Sequence, residues 1–300
     1  MIRYQSNTAK VNSVDIHYVQ TGSGPPLLLL HGYPQSHVMW HKVIAKLSEE
    51  YTVIASDLRG YGDSSAPITD AQHTPYSKRV MAQDQLLLMK SLGFTQFILI
   101  AHDRGARVAH RMSLDAPEAI LKLVLLDIAP TLHMYDHTSM AFASAYFHWF
   151  LLIQPFDFPE TFIGGNTAYF LSSIFRAKPE HRLIHTDEAV AEYLRCFDQN
   201  TIHASCEDYR ASATIDLQHD RVDRNSENII RCPLLIMWGS HGIIGKLYNP
   251  MEVWSQYAEN VEGIEVDSGH FIPEECPEVL LNSVIPFLQD SNQTSAYVST

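Results

Sequence analysis

The chain has 300 residues, of which 46% are hydrophobic and 18% charged, and its formal net charge is −13 at pH 7. This composition is typical of a globular protein with a large core, and the acidic excess argues against nucleic acid or an anionic membrane as a partner. The first residues, MIRYQSNTAK, contain no apolar stretch, and the longest apolar runs are far too short to span a bilayer. The four cysteines show no C-x-x-C pairing. We therefore expect reduced thiols and a cytoplasmic enzyme.

Apolar runs and helical patterns alternate along the first part of the chain. Strands are predicted within 14–22, 25–32 and 51–57, and helices at 36–51 and 78–93, the second helix ending at a glycine. Two more apolar runs, FILIAHD at 97–103 and KLVLLDIAP at 122–130, follow with a helical pattern between them. Strands separated by helices predict a parallel sheet covered on both faces.

The amino-acid composition and the pattern of apolar residues change near Pro130. From there to the low 210s the chain is rich in aromatic residues and histidine, lacks clear strand patterns and is predicted to be helical. Strand and helix patterns alternate again from CPLLIMWGS onward, through GIEVDSGHF to a last helix at 276–289. The predicted fold is therefore α/β, a mostly parallel sheet flanked by helices, with a core of residues 1–129 and 213–300 and an inserted helical cap of residues 130–212. The polar tail 291–300 is expected to be disordered.

A carboxylate stands where the predicted strand at 97–102 turns sharply into a helix. The local sequence Ala101-His102-Asp103-Arg104-Gly105 has small residues on both sides of the turn, the pattern of a nucleophile elbow. A carboxylate is itself a competent nucleophile, and the positive end of the following helix favours its ionised form. The competing interpretation is an Asp that only caps the helix. The small residues and the candidate partners elsewhere in the chain favour the nucleophile.

Three further groups complete a candidate catalytic set. His270, in DSGHF before the last helix, is the candidate general base, although the chain has sixteen histidines. The loop after LLIMW contains no Asp or Glu, so Asp127, at the end of the preceding strand, is the candidate acid that orients His270. The backbone N–H groups of Tyr33 and Arg104 are candidates for an oxyanion hole.

Arginines and aromatic donors suggest what the site binds. Arg104 and Arg107 lie on one face of the first helical turns, where cations oppose the helix dipole and a substrate carboxylate would compensate them. Salt bridges to acids of the protein are the competing interpretation, and Arg111 is expected to be structural. His148, Trp149 and Tyr209 in the cap offer three hydrogen-bond donors, which a departing halide needs, although aromatic residues in a cap also serve packing.

With these residues in view, the whole chain resembles the α/β-hydrolase superfamily, and within it the haloacetate (fluoroacetate) dehalogenases. The matching strings are HGYPQ, DLRGYGDS, HDRGAR, HW, CEDYRA and DSGHF. Haloalkane dehalogenases and epoxide hydrolases usually carry HDWG at the elbow, where this chain has HDRG. Tyr33 also stands where a Phe is expected to be common.

The resemblance implies a hydrolytic dehalogenase of small 2-haloacids that needs no cofactor or metal and forms a homodimer. Asp103 would attack the carbon that bears the halogen, and His270, oriented by Asp127, would activate water to hydrolyse the resulting ester. The carboxylate of the small anionic halogenated substrate would be held by Arg104 and Arg107. The halide would be held by His148, Trp149 and Tyr209.

Other functions are weighed against this one. An epoxide hydrolase would use the same Asp-His-Asp machinery with two cap tyrosines as donors, and the cap contains Tyr135, Tyr146, Tyr169 and Tyr193. A non-catalytic member of the fold is disfavoured because all three catalytic candidates are present. A metal site at His133 and His137 is disfavoured because the glutamate of an H-E-x-x-H motif is missing.

Overall fold

Eight strands form one sheet in the computed structural model, which describes residues 4–175 and 184–290. The strands are β1 (Ser6–Val11), β2 (Val14–Thr21), β3 (Pro26–Leu30), β4 (Thr52–Ser56), β5 (Phe97–His102), β6 (Ile120–Leu126), β7 (Leu234–Gly239) and β8 (Val261–Val266). Their spatial order is β1-β2-β4-β3-β5-β6-β7-β8. β2 pairs antiparallel with β1 and β4, and all the other pairs are parallel. The mostly parallel α/β prediction is confirmed. The tail 291–300 lies outside the described residues.

The central strands are buried on both faces, which explains their continuous apolar sequences. Every residue of β5 is buried, and so are the four leucines of β3. Such strands need helices on both sides of the sheet. β1 is different, because its sequence SNTAKV is mostly polar and its side chains alternate between exposed and half-buried. The sequence did not predict this strand, since its extended conformation comes from pairing with β2 at the sheet edge.

The helices fall into three groups along the described chain. The first comprises α1 (Ile44–Leu47), α2 (Lys78–Ser91) and α3 (Asp103–Asp115). Between β6 and β7 lie α4 (Thr131–Asp136), α5 (Met140–Ala145), α6 (Phe147–Leu152), α7 (Phe158–Gly164), α8 (Thr167–Phe175), α9 (Asp187–Cys196), α10 (Gln199–Ala213) and α11 (Ile215–Asn225). The last are α12 (Ile243–Leu247), α13 (Pro250–Trp254), α14 (Ile272–Glu275) and α15 (Pro277–Gln289). Short 3₁₀ helices occur at His37–Lys42, Thr74–Tyr76 and Pro117–Ala119.

The helix predicted at 36–51 is shorter and broken. A 3₁₀ helix covers its first part, and Val43, with φ −118°, separates that helix from α1. The helix predicted at 78–93 is present as α2, capped by the Ser77 hydroxyl and followed by Gly93 at φ +88°.

The inserted helices α4 to α11 occupy the segment in which the sequence predicts a cap. The proposed boundary after residue 129 immediately precedes α4, whereas the boundary after residue 212 falls in the last turn of α10. The division into core and cap at these positions stays a prediction. In the two described ranges, the helices are all too short or too polar to cross a membrane.

Arg111 joins the central helix α3 to α11. Its side chain is only 3% exposed and forms ion pairs with Asp115 (3.2 Å), Asp220 (2.7 Å) and Asp223 (2.5 Å). The structural role expected for Arg111 therefore has a clear physical basis, because one buried cation forms ion pairs with three carboxylates.

We expect Arg111→Leu to lower the free energy of unfolding by about 3–5 kcal/mol, because it leaves poorly solvated carboxylates without their cation. Arg79→Leu is the matched control, since Arg79 also pairs with Asp115 but is 44% exposed. The control should lose only about 0–1 kcal/mol. Urea unfolding of both variants measures the difference, and equal losses would contradict the structural role of Arg111.

Candidate active site

The tip of the elbow carries Asp103 in a strained backbone conformation. Asp103 is the first residue of α3 and has φ +45°, a region that non-glycine residues seldom adopt. The loop after β3 packs closely against it. A Cβ on Gly105 would lie 2.4 Å from the carbonyl oxygen of His31, and a Cβ on Gly32 would lie 2.5 Å from the Cβ of Asp103. Close packing of this loop on the elbow explains why the glycines are required.

The Asp103 carboxylate is buried and surrounded by positive groups. The side chain accepts a hydrogen bond on Oδ1 from the backbone N–H of Tyr33 at 2.9 Å. Burial alone would raise the pKa of Asp103, but the charges of His270, His102 and the two neighbouring arginines outweigh it and lower the pKa to about 2. Asp103 is therefore an ionised carboxylate at neutral pH.

His270 lies between Asp103 and Asp127. Its Nδ1 is 2.6 Å from Oδ2 of Asp127, and its Nε2 is 3.7 Å from Oδ2 of Asp103. Because an ionised carboxylate can only accept, Nδ1 donates its hydrogen to Asp127, and whenever the ring is neutral the lone pair is on Nε2, which faces Asp103. Burial alone would lower the pKa of His270, but the hydrogen bond and charge of Asp127 raise it.

Backbone groups from the β7 loop hold Asp127. The carboxylate is fully buried, has φ +50° and accepts a hydrogen bond from the backbone N–H of Gly239 at 3.1 Å. A Cβ on Gly242 would lie 3.1 Å from Oδ1 of Asp127. The loop after β7, which contains no acid, thus supplies two glycines, Gly239 and Gly242, and the carboxylate of Asp127 at the end of β6 packs against them. Burial raises the pKa of Asp127, and its hydrogen bond to His270 opposes that rise.

The loop that presents the Tyr33 amide is braced by His31. Nδ1 of His31 donates to the carbonyl of Gly32 at 2.9 Å, and Nε2 accepts from the N–H of Leu58 at 3.0 Å. The second expected donor, the amide of Arg104, is in the first turn of α3, where backbone N–H groups have no intrahelical acceptor.

The guanidinium of Arg104 already has an acid partner inside the protein. Its Nε and Nη2 each lie 2.8 Å from an oxygen of Asp208, and Nη2 also donates to the Ser212 hydroxyl at 2.5 Å. Lys78 and the Tyr61 hydroxyl bind the same Asp208. The competing interpretation, an internal salt bridge, is therefore correct for most of this side chain. Only Nη1 is buried without a hydrogen-bond partner in the described structure.

Arg107 is held differently, by neutral groups from the chain after Asp127. Its Nη1 donates to the carbonyl of Ala129 (3.0 Å) and the hydroxyl of Thr131 (2.9 Å), and Nη2 lies 3.3 Å from the sulfur of Met134. Its side chain has no carboxylate at ion-pair distance within residues 4–175 and 184–290, and its Nε has no hydrogen-bond partner there. Burial lowers the pKa of Arg107. This arginine is thus a buried cation whose charge is available to a bound anion.

Helices α6 and α10 contribute aromatic side chains with free donors. The guanidinium of Arg104 lies 4.0 Å from the ring centre of Tyr209, and that of Arg107 lies 4.5 Å from the Trp149 ring. The Trp149 indole N–H and the Tyr209 hydroxyl are buried, and neither has a partner among the described residues. The His148 ring is 5.9 Å from the Tyr209 ring, and burial lowers its pKa to about 4, so it is neutral at pH 7. The structure brings all three predicted halide-binding residues together.

The sequence did not identify Asp208, the partner of Arg104, as part of the site. Asp208 directly precedes Tyr209 in the CEDYRA string, and this position is the only signal that could have pointed to it.

Four tyrosines were considered above as donors of an epoxide hydrolase. Of these, Tyr169 is 69% exposed, and the Tyr193 hydroxyl donates to Glu274 at 3.1 Å. Tyr146 packs 6.2 Å from the His270 ring, and the Tyr135 ring is 5.3 Å from Trp149.

Among residues 4–175 and 184–290, three groups of side chains outside this site have metal-ligating atoms within 4.8 Å of one another. They are His17 with His37 and Asp57, Asp63 with Glu192 and Cys196, and Glu160 with His203 and Glu207. Internal contacts account for each group. Both histidines of the first bind Asp57, and arginines pair with the acids of the other two. His133 and His137 stack at 4.1 Å beside a separate cavity of about 330 Å³.

Fold and site together define a hydrolase of the α/β class. The α/β hydrolase fold family matches residues 25–277, and the chain belongs to that family. A fluoroacetate dehalogenase from Burkholderia sp is 39% identical over 290 residues, which cover 96% of this chain and 95% of that protein. The expected resemblance to these dehalogenases is confirmed.

Two further proteins are similar to this chain over nearly its whole length. A soluble epoxide hydrolase from Corynebacterium sp. (strain C12) is 32% identical over 287 residues, 93% of this chain and 95% of that protein. The solved structure of a protein from Nostoc sp PCC 7120 is 49% identical, covers 96% of this chain and 99% of its own, and has a TM-score of 0.93.

We expect His270 to titrate above the ordinary histidine pKa of 6.5, because the bond to Asp127 outweighs burial. Asp127→Asn should lower the pKa of His270, since it removes the negative charge next to Nδ1. Histidine NMR titrations measure both values, with His270→Gln identifying the resonance. The control is Asp267→Asn, which removes an exposed acid of the same loop. A His270 pKa unchanged by Asp127→Asn, or lowered as much by Asp267→Asn, would contradict the coupling.

Proposed function

We propose that this hydrolase is a dehalogenase of small 2-haloacids, which converts a haloacetate such as fluoroacetate into glycolate and halide. The observation that carries the proposal is the combination of an ionised Asp103 with Arg107, a buried cation that has no ion-pair partner among the described residues. Trp149 and Tyr209, whose donors have no partner in the described structure, stack their rings on the guanidinium groups of Arg107 and Arg104. A substrate with one carboxylate and one anionic leaving group satisfies both sets of groups.

In the first step, the substrate carboxylate binds Arg107 Nε and the free Nη1 of Arg104. This fixes the halogen-bearing carbon in front of Asp103, whose Oδ2 attacks and forms an ester while the carbon–halogen bond breaks. The halide leaves toward His148, Trp149 and Tyr209. Their hydrogen bonds strengthen as charge develops on the halogen, so they lower the barrier more than they strengthen substrate binding.

In the second step, water hydrolyses the ester. Oδ1 of Asp103, which accepts from the Tyr33 amide, becomes the ester carbonyl oxygen, so the oxyanion develops against the amides of Tyr33 and Arg104. Nε2 of His270 removes a proton from the attacking water. Esterification also removes the Asp103 charge, which is one of the causes that raise the pKa of His270. The imidazole therefore becomes easier to keep neutral at the stage at which it must accept a proton.

The alternative is an epoxide hydrolase with the same Asp-His-Asp set, and the Corynebacterium relative supports it. A neutral epoxide would leave the charge of Arg107 without a counter-ion from the substrate. The buried arginine therefore favours an anionic substrate.

We expect the purified protein to release halide from chloroacetate and fluoroacetate, and Asp103→Asn to reduce the rate by roughly 10³-fold or more because no nucleophile remains. An ion-selective electrode measures the release. Asp267→Asn, a change at an exposed acid, is the control and should behave like the wild type. No release from either acid, together with turnover of styrene oxide, would overturn the dehalogenase proposal in favour of the alternative.

We expect His270→Gln to stop after the first step, because it leaves Asp103 intact but removes the base that activates water. With chloroacetate, this variant should release halide once per active site and retain a carboxymethyl group. Peptide mass spectrometry should locate the group on Asp103. A modification at another residue, or sustained turnover by the variant, would show that the ester mechanism is wrong.

A further inference from the structure

Two tyrosines, Tyr33 and Tyr209, pack together in the pocket of Asp103. The ring of Tyr33 lies between two halide-pocket residues, 5.4 Å from the Tyr209 ring and 5.9 Å from the His148 ring. The hydroxyls of Tyr33 and Tyr209 are both buried, and neither has a hydrogen-bond partner in the described parts of the chain. The charge of Asp103 is among the causes that raise the pKa of each, which places both phenols within its field.

A departing halide needs hydrogen bonds but no proton. An unpartnered buried hydroxyl costs free energy, so two of them in one pocket indicate a bound group that accepts hydrogen bonds. An epoxide oxygen is such a group, because it becomes an alkoxide when the ring opens and must then be protonated. Two tyrosines are the donor set that an epoxide requires, although Tyr33 comes from the core loop and not from the cap.

Burial and the charge of Asp103 raise the pKa of Tyr209, so its hydroxyl keeps its proton until the epoxide ring opens. The guanidinium of Arg104, 4.0 Å from the ring centre, stabilises the phenolate that would form. The charge of Asp103, one of the causes that raise the pKa of Tyr209, disappears when Asp103 becomes an ester, so the hydroxyl gives up its proton more readily at the stage at which the alkoxide forms.

We propose that the site also hydrolyses small epoxides that bear a carboxylate, with glycidate (oxirane-2-carboxylate) as the simplest member of the class. The inference rests on the roles proposed above for Asp103 and Arg107. The carboxylate would bind Arg107, as in a haloacid, and would present a ring carbon to Asp103. A neutral epoxide lacks this contact, so the expected class is epoxy acids and not epoxides in general.

The bonds and protons balance without a further reactant. Asp103 Oδ2 forms a bond to a ring carbon, the ring carbon–oxygen bond breaks, and the alkoxide takes the hydroxyl proton of Tyr209 while Tyr33 donates a hydrogen bond. Water then hydrolyses the ester with His270 as base. The product is glycerate, and the proton on His270 returns to the Tyr209 phenolate. Epoxide turnover therefore releases no net proton, whereas haloacid turnover releases a proton with each halide.

The test compares glycidate with chloroacetate on the same protein. We expect glycerate, detected by NMR, without acidification in a pH-indicator assay, and we expect acid release from chloroacetate. Styrene oxide should react much more slowly than glycidate, and Arg107→Met should remove that preference.

Halide release without glycerate would overturn this inference and leave the dehalogenase proposal standing. Glycerate formation without halide release from any haloacid would overturn the dehalogenase proposal and leave this inference standing. If the protein forms neither product, both proposals are overturned. Equal turnover of styrene oxide would overturn the restriction to epoxy acids.

Tyrosine variants test the proton donors. Tyr209→Phe should reduce glycidate turnover by roughly 10²-fold or more, the contribution of a general acid. Its effect on chloroacetate should be only about tenfold, the loss of one hydrogen bond. Tyr33→Phe, which removes a hydrogen bond but no transferred proton, should reduce glycidate turnover only about tenfold. Tyr257→Phe is the matched control, because Tyr257 packs against His110 and Trp254 away from this pocket. Equal losses with both substrates in Tyr209→Phe would overturn the proton-donor role.

Discussion

The buried negative charge of Asp103 is the constraint around which this site is organised. An ionised carboxylate taken out of water costs several kcal/mol unless donors and positive charges surround it. Here the Tyr33 amide, the positive end of α3, His270 and Arg107 supply that compensation. The same requirement fixes the backbone, because the loop after β3 can bring its amide to Asp103 only if Gly32 and Gly105 carry no side chain. The positive φ at the tip is tolerated because both neighbouring segments hold it.

Charge balance distinguishes the two arginines that follow the nucleophile. Arg104 and Lys78 face Asp208 and Asp216, so this buried group is neutral without a ligand. The direct contacts of Arg107 in the described structure are neutral, and the charge of Asp103 is among the causes that raise its pKa. When Asp103 becomes an ester, that negative charge disappears. A substrate carboxylate on Arg107 would keep the pocket neutral through the ester stage, which neutral substrates cannot do.

The sequence predicted those features that depend on local pattern. Continuous apolar runs identified the buried strands, and the small residues around Asp103 identified the elbow. Asp127 was chosen because the loop after β7 has no acid, and the structure places it 2.6 Å from His270. What could not be predicted depends on distant partners. β1 is polar and becomes a strand through its pairing with β2, and Asp208 meets Arg104 across 104 positions of chain. The free hydroxyl of Tyr33 is likewise a property of the packed site.

The ion pairs of Asp208 also join three helices of the site. Asp208 lies on α10, while its partners Arg104 and Lys78 lie on α3 and α2. Tyr209, the next residue of α10, stacks on the guanidinium of Arg104. Any displacement of α10 would separate these ion pairs and move Tyr209 away from Arg104 at the same time, so the charge balance and the shape of the pocket depend on one docked helix.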